Sequence, residues 1–435
     1  MGAKVSVIMP SLNVADYIEE AVQSVIDQTL KDIEIICIDA GSNDGTWEIL
    51  TRLAATDGRI ILRHSDRKSY GYQVNLGIVM ASGEYIAVVE TDDYVDSKMY
   101  ERLYQEAVVH DCDYVKSDYF AYWTQADRKR VFVRKNIFFN QELYGIVMEP
   151  KLHWETATGD WYLWSGIYKK EFLIRENIRL SETPGAAFQD IGFLCQTNIK
   201  AKRVLYLKEH HYRYCMDRDG ASSNSGRGLR YSYQEFSCLC NSIKDTMDIA
   251  SAQVFYCRMA KSFMCCYGEM ESRGLRIEDN EKKDYYQWFQ TQLKTAKEQG
   301  IINAQVIRPE IWDKVEKLLI SEEYYIEKVQ EREKYMQGII GQAGEYPVII
   351  FGCGYYGYQA YGWLKRHEYS IMTFMDNNQE LWGTKIDEYF IEPPQQIPNM
   401  PVHVKYLIAN EQHSGEIKQQ LLELGIEEEN ICIYV

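Results

Sequence analysis

Apolar and polar positions alternate in blocks along the first 120 residues. Residues 5–10 (VSVIMP) form a short apolar run that ends at a proline. Beyond it Ile18, Ala21, Val22, Val25 and Ile26 recur at helical spacing, with Asn13 as the cap and Asp16 three residues on. The run IEIICID (33–39) predicts a second strand, and GSNDGTWEILTRLA (41–54) a turn into a helix. RIILRH (59–64), GYQVNLGIVMAS (71–82) and EYIAVVE (84–90) continue as strand, helix and strand. Strands alternating with helices predict an α/β fold with a mostly parallel sheet. Such sheets bind ligands beyond the carboxyl ends of their strands. Here those ends carry Pro10, Ser11 and Asn13, then Asp39, then Glu90, Asp92 and Asp93.

The pattern changes twice further along. Residues 121–225 are aromatic and irregular, and residues 226–345 are glycine-poor with helical periodicity and charged runs such as EKVQEREKYMQ. At YPVIIFGCGYYGYQAYGWL (346–364) strand-then-helix returns and continues to the end. Three regions are therefore expected: 1–225, 226–345 and 346–435. The length of 435 residues, more than a single core usually holds, agrees.

Charge narrows the partners. A net charge of −16 argues against nucleic acid, which selects a basic face. The eleven cysteines include no CxxC pair, so zinc-finger spacing is absent and reduced thiols in the cytoplasm are expected. The N-terminal KVSVIMPSLN has no signal segment, and no apolar run approaches the roughly 18 residues of a transmembrane segment. The expectation is a cytoplasmic protein, with peripheral contact at the inner face of the membrane left open.

The carboxylates at the fourth strand end carry the first chemistry. Glu90, Asp92 and Asp93 repel one another, and a divalent cation bound through their oxygens would offset that. At this point a resemblance enters. VSVIMPSLNVADYIEEAVQSVIDQTLKDIEIICIDAGSNDGT resembles the opening of a family-2 glycosyltransferase of GT-A fold. SGEYIAVVETDD resembles the strand leading to that family's DXD motif. WSGIYKKEFL, FQDIGF and HHYRY followed by Ser222 and Ser223 resemble its later segments, in order.

The resemblance implies an inverting, metal-dependent transferase. Its donor would be a nucleoside-diphosphate sugar, uridine-linked, and its acceptor a glycan or lipid-linked glycan of a bacterial surface polysaccharide. By the same resemblance Asp39 holds the donor base beside Pro10 and Asn13. Glu90 and Asp92 are the ends of the DXD-like motif, with Asp92 on Mn²⁺ or Mg²⁺ and Asp93 behind it. Asp190 is the catalytic base, Trp164 lies near the sugar, and Arg213 or a histidine such as His211 lies near the diphosphate and metal. Four positions depart from the family pattern: Glu90 for Asp, Gln189 for Glu, Ala40 for a second acid and Val74 for Arg.

The C-terminal region carries Gly352-Cys353-Gly354-Tyr355-Tyr356-Gly357 between a predicted strand and helix. Asp376 ends the next predicted strand, 24 residues after Gly352. That spacing is the fingerprint of a nucleotide site, with backbone approach to a pyrophosphate at a helix N-terminus. The region resembles the small Rossmann-like domains appended to sugar-modifying enzymes. Two other functions stay open beside the transferase: a nucleotide-dependent sugar oxidoreductase or modifier working through this motif, and a non-catalytic glycan-binding scaffold.

Overall fold

The protein is described from a computed structural model that covers residues 2–124, 130–138, 140–216, 227–243, 247–269, 282–401, 403–410 and 413–434. It folds as two compact units, one built from most of the chain up to Leu319 and one from Ile320 onward.

The first unit opens as the periodicity predicts: β1 (Val5–Ser11), α1 (Ile18–Ile26), β2 (Ile33–Asp39), α2 (Thr46–Ala54), β3 (Ile60–His64), α3 (Tyr70–Met80) and β4 (Tyr85–Val88). There follow β5 (Tyr94–Val95), α4 (Met99–Val109), β6 (Tyr114–Thr124), β7 (Arg130–Lys135), α5 (Trp154–Gly159), β8 (Gly166–Lys169), α6 (Lys170–Arg175), α7 (Gln189–Lys200) and β9 (Val204–Cys215). The path through the sheet is β3-β2-β1-β4-β8-β6-β9-β5. The first four strands are parallel, and β8 is antiparallel to both β4 and β6.

Both faces of the central strands are covered. Val7, Met9, Ile35 and Cys37 pack on the side of α1, α2 and α4, whereas Ile8, Ile36 and Ile38 pack on the side of α3 and α7. A strand buried on both faces reads as an unbroken apolar run, which is why β1 and β2 lack polar alternation. The carboxyl ends of β1, β2 and β4 lie along one edge and carry the polar residues named above.

Helices α8 (Gly228–Ile243), α9 (Ile249–Phe263), α10 (Lys282–Glu298) and α11 (Pro309–Ile320) belong mainly to this same unit. The expected separate region 226–345 is thereby corrected. The reason is visible at Arg258 of α9, which is wholly buried and donates to the Asp160 carbonyl at 2.9 Å and to Asn198 Oδ1 at 3.1 Å. A guanidinium bonded into α5 and α7 fastens the helical region to the sheet domain.

The second unit contains α12 (Glu322–Ile340), β10 (Val348–Phe351), α13 (Tyr355–Arg366), β11 (Ile371–Met375), β12 (Lys385–Ile386), β13 (Tyr389–Glu392), β14 (Lys405–Ile408), α14 (Ser414–Glu423) and β15 (Ile431–Ile433). The strand order is β12-β13-β11-β10-β14-β15, parallel throughout except for β12. Met336 and Ile340 of α12 sit in its core with Val348, Ile350 and Leu407. The unit thus begins well before residue 346.

Candidate active site

The end of β2 is shaped by its own carboxylate. Asp39 is fully buried, and its Oδ2 accepts the Gly41 and Ser42 N–H groups at 3.0 and 2.9 Å. Its Oδ1 accepts the hydroxyls of Ser11 at 3.1 Å and Ser42 at 2.5 Å. Four donors saturate a carboxylate. The expected contact from Asp39 to a nucleotide base is therefore corrected to a positioning role: Asp39 holds the loop that would border the base. Asn13, at φ 54, is laced to the same loop. It donates its N–H to Ser42 Oγ at 2.8 Å and accepts the Asn43 N–H at 3.0 Å. Pro10 is buried, and its carbonyl accepts the Thr91 hydroxyl at 3.0 Å, tying β1 to the acidic motif.

The acidic motif is held by two tyrosines. The Tyr70 hydroxyl, at the start of α3, donates to Glu90 Oε1 at 2.5 Å. Burial, then the charge of Glu90, push the Tyr70 hydroxyl well above its ordinary pKa, so it stays a donor. The Tyr212 hydroxyl accepts the Glu90 N–H at 3.0 Å and donates to Asp93 Oδ2 at 2.9 Å. Asp93 Oδ1 accepts the Cys215 N–H at 2.7 Å. Burial, followed by the charge of Asp92, raises the Asp93 pKa well above the carboxylate range. Asp93 is thus an internal brace, and Glu90 and Asp92 are the half-buried carboxylates of this strand end.

Asp190 is the second residue of α7, which starts directly after Phe188, whose φ of 67 is left-handed. That conformation is costly for a bulky residue and concentrates at functional sites. Burial pushes the Asp190 carboxyl up to about 6, while the Ile191 N–H and the cations Arg258 and Lys116 pull the other way. The loop before it is docked on α3. Tyr70 N donates to the Gly185 carbonyl at 2.9 Å, and Gly185 N donates to the Lys68 carbonyl at 2.8 Å. Tyr70 therefore touches Glu90 with its side chain and the Asp190 loop with its backbone.

Gln189 explains its own departure from the family pattern. Its amide donates to Thr183 Oγ1 at 3.0 Å and the Gly185 carbonyl at 3.2 Å, and accepts the Ala187 N–H at 2.8 Å. An ionised glutamate cannot donate to those two oxygens. Val74 and Ala40 are core residues.

Three expected contacts are not brought together. Trp164 is only 4% exposed and stacks on Tyr162, Tyr212 and Tyr214, so it supports the motif from the core instead of facing a sugar. His211 and Arg213 alternate to the other side of β9 from Tyr212 and Tyr214, where both meet Asp96, at 3.5 and 3.8 Å. The ladder pairs Tyr94 with Arg213 and Val95 with Tyr212. His211 consequently stands opposite Asp96, on the far side of β5 from the turn that carries Asp92. The carboxylate that His211 meets is thus Asp96. Among the described residues no group of three or more His, Cys, Asp or Glu forms a ready metal site. Ser222 and Ser223 lie outside the described residues.

In the second unit the glycine-rich turn is built for packing. A Cβ on Gly357 would meet the Gly352 carbonyl oxygen at 2.0 Å, and Gly352 has φ 115. A Cβ on Gly354 would meet open space. Asp376 Oδ2 accepts the Cys353 N–H at 2.8 Å, and Oδ1 accepts the Asn378 N–H at 2.8 Å. One N–H that the fingerprint would offer to a pyrophosphate is already bonded to a carboxylate.

Residues 6–160 match the sequence model of Glycosyl transferase family 2. The glycosyltransferase GlyG of Streptococcus pneumoniae is 30% identical over 223 residues, 49% of this chain and 71% of that protein. The chain belongs to glycosyl transferase family 2. A second relative, described as the uncharacterized glycosyltransferase EpsJ of Bacillus subtilis, is 35% identical over 211 residues, 48% of this chain and 60% of the relative. The match thus spans about 60–71% of these family-2 relatives. The crystal structure of S. aureus TarS 1-349 in complex with UDP-GlcNAc shares the fold. Its TM-score is 0.56 at 16% identity, covering 77% of this chain and 92% of that one. Residues 344–432 match a separate sequence model, C2185-like, N-terminal.

Within this family-2 chain, the residues that sequence reasoning missed are Tyr70, Tyr212 and Arg258. Each is a common residue with no local motif, and only the three-dimensional contacts reveal them. No described helix is long and apolar enough to cross a membrane.

Proposed function

We propose that the protein transfers a sugar, with inversion, from a uridine-linked nucleoside-diphosphate donor to a hydroxyl of a glycan or lipid-linked glycan. The observation that carries this reading is the convergence at Tyr70. One residue binds Glu90 and the loop of Asp190, so the acidic strand end and the proposed base share one sheet edge.

Asp190 accepts the proton of the acceptor hydroxyl as that oxygen attacks the anomeric carbon. A pKa of about 6 leaves it ionised at neutral pH yet more basic than a solvated aspartate. Attack on the face opposite the nucleotide inverts the carbon. The Gly41–Asp44 loop, positioned by Asp39 and Asn13, borders the base of the donor. Tyr70 and Tyr212 fix Glu90, and Tyr212 with Cys215 fixes Asp93. Glu90 and Asp92 stand together at the half-buried rim of this strand end, an arrangement of oxygens that suits a divalent cation. Mn²⁺ or Mg²⁺ there would neutralise the diphosphate leaving group.

The test is donor hydrolysis. Purified protein with Mn²⁺ or Mg²⁺ is offered a panel of nucleotide sugars, and the released nucleoside diphosphate is measured. Release from one donor, lost in Asp92→Asn and on chelation, supports the reading. Release that is indifferent to both Asp92→Asn and Asp190→Asn overturns it.

A further inference from the structure

The carboxyl ends of β10, β11 and β14 enclose a cavity of about 350 Å³ in the second unit. It lies where the strand order turns, since β11 extends the sheet on one side of β10 and β14 on the other. Open parallel sheets bind their ligands at such a crevice, and the volume falls within the range of small-molecule sites. The lining includes Asp376, Asn377, Asn410, Glu416, Ile417 and Gln420.

We propose that this cavity binds an uncharged sugar unit and not a nucleotide. Two carboxylates line it together with His413, whose Nδ1 is already 3.1 Å from Glu416 Oε2, and no Lys or Arg is among its described lining residues. A diphosphate would meet like charge without a compensating cation. The Cys353 N–H of the glycine-rich turn is occupied by Asp376, so a phosphate there would lose one backbone donor and face an acid of its own sign.

The carboxamides suit hydroxyl groups. Each offers both donors and acceptors, as a sugar hydroxyl does. Asn377 and Gln420 bond each other reciprocally at 2.9 and 3.0 Å, which sets their orientation at the rim. Asn410 Oδ1 accepts the His413 N–H at 3.0 Å, turning the amide of Asn410 so that its nitrogen remains for a ligand. The ligand class follows from the cavity itself. Only the further step, that the sugar is part of the acceptor glycan, rests on the transferase reading.

The experiment is saturation-transfer NMR on the full chain with glucose, galactose, mannose, N-acetylglucosamine, cellobiose and lactose at millimolar concentration. UDP, with and without Mg²⁺, is the counter-probe. Asn410→Leu and Glu416→Leu are compared with the parent, the second being a safe surface change if the first does not fold. The expected result is a neutral sugar that binds about tenfold more weakly in the variants, the loss of one or two hydrogen bonds, with UDP unaffected. UDP binding that falls in the variants makes the cavity a nucleotide site and overturns the proposal. So does the lack of any variant-sensitive sugar signal. The transferase reading is scored separately, because Asp190→Asn leaves the cavity intact and the cavity variants leave donor hydrolysis intact.

Discussion

Replacing Asp190 by Asn should separate activity from stability, moving them in opposite directions. Asp190 titrates near 6 in the folded protein, above the usual aspartate value. At pH 7 roughly nine-tenths of such a carboxyl is ionised, and at pH 5 roughly one-tenth. Transfer to acceptor should therefore fall about tenfold from pH 7 to pH 5, through a single limb centred near 6. Asn cannot accept the proton, and a loss of about 10²–10⁴-fold is expected. The stability sign runs the other way. A carboxyl whose folded pKa is raised binds more protons in the native state than in the unfolded one, so its contribution to stability declines as pH rises from about 4 to 6. At pH 7 the ionised group costs about 1–3 kcal/mol, allowing for partial solvent access, and Asn removes that cost. The assay pairs initial rates between pH 4.5 and 8 with thermal melting of parent and variant. Glu235, pushed up to about 7 by burial, lies close enough to couple to Asp190. Glu235→Gln should leave a limb, shifted slightly down because a like charge is gone. If Asp190→Asn keeps more than about a tenth of the parent rate, or melts lower, the assignment of a strained, proton-accepting Asp190 is wrong.

Tyr70→Phe removes the donor to Glu90 and should lower kcat/KM about tenfold, the effect of losing a hydrogen bond to a charged group. Pairing it with Glu90→Gln should give less than the sum of the two single effects, and full additivity in steady-state kinetics would show the contact to be idle. Gln189→Glu places a carboxylate against Thr183 and Gly185 oxygens and should destabilise the protein by about 1–3 kcal/mol in urea unfolding. An unchanged midpoint would remove the explanation given for Gln189. Gly357→Ala brings a Cβ to within 2.0 Å of the Gly352 carbonyl oxygen, so early, local loss of protection in residues 346–434 is expected by hydrogen exchange. His211→Ala should leave the metal dependence of donor hydrolysis intact, because its carboxylate neighbour is Asp96, and a large rise in the Mn²⁺ requirement would return His211 to the metal.

The strands of the first unit were legible because doubly buried strands are apolar throughout and stop at turn residues. Val5–Ser11 and Ile33–Asp39 follow that rule apart from Ser6 and Glu34, whose side chains bond each other. Glu90 and Asp92 stand out for the same reason, since a carboxylate at the edge of an apolar strand is conspicuous, whereas Asp190 was singled out by the resemblance of FQDIGF. What local pattern could not show was where side chains turn. Asp39 is spent on its own loop, which depends on the hydroxyls of Ser11 and Ser42 being in reach. His211 and Arg213 were assigned to the metal and diphosphate by the family resemblance of the HHYRY segment. Their true side is set by pairing with a two-residue strand, Tyr94–Val95, too short to leave a periodic signal. Trp164 looked like a ligand wall because an aromatic cluster has the same composition whether it is dry or open. The boundary at 346 failed because α12 is largely polar, and only Met336 and Ile340 near its end enter the core.

That last helix decides how the second unit can be handled in isolation. Cys432 Sγ, on β15, lies 3.1 Å from the Ile339 carbonyl, so the end of α12 and the final strand close over one another. A recombinant piece starting at 346 would strip this cover and present Val348, Ile350 and Trp363 to water, a sticky face prone to self-association. A piece starting at Ser321, whose hydroxyl accepts the Tyr324 N–H at 3.0 Å, keeps both the cap and the cover. Proteolytic dissection or crystallisation of this unit alone should begin there.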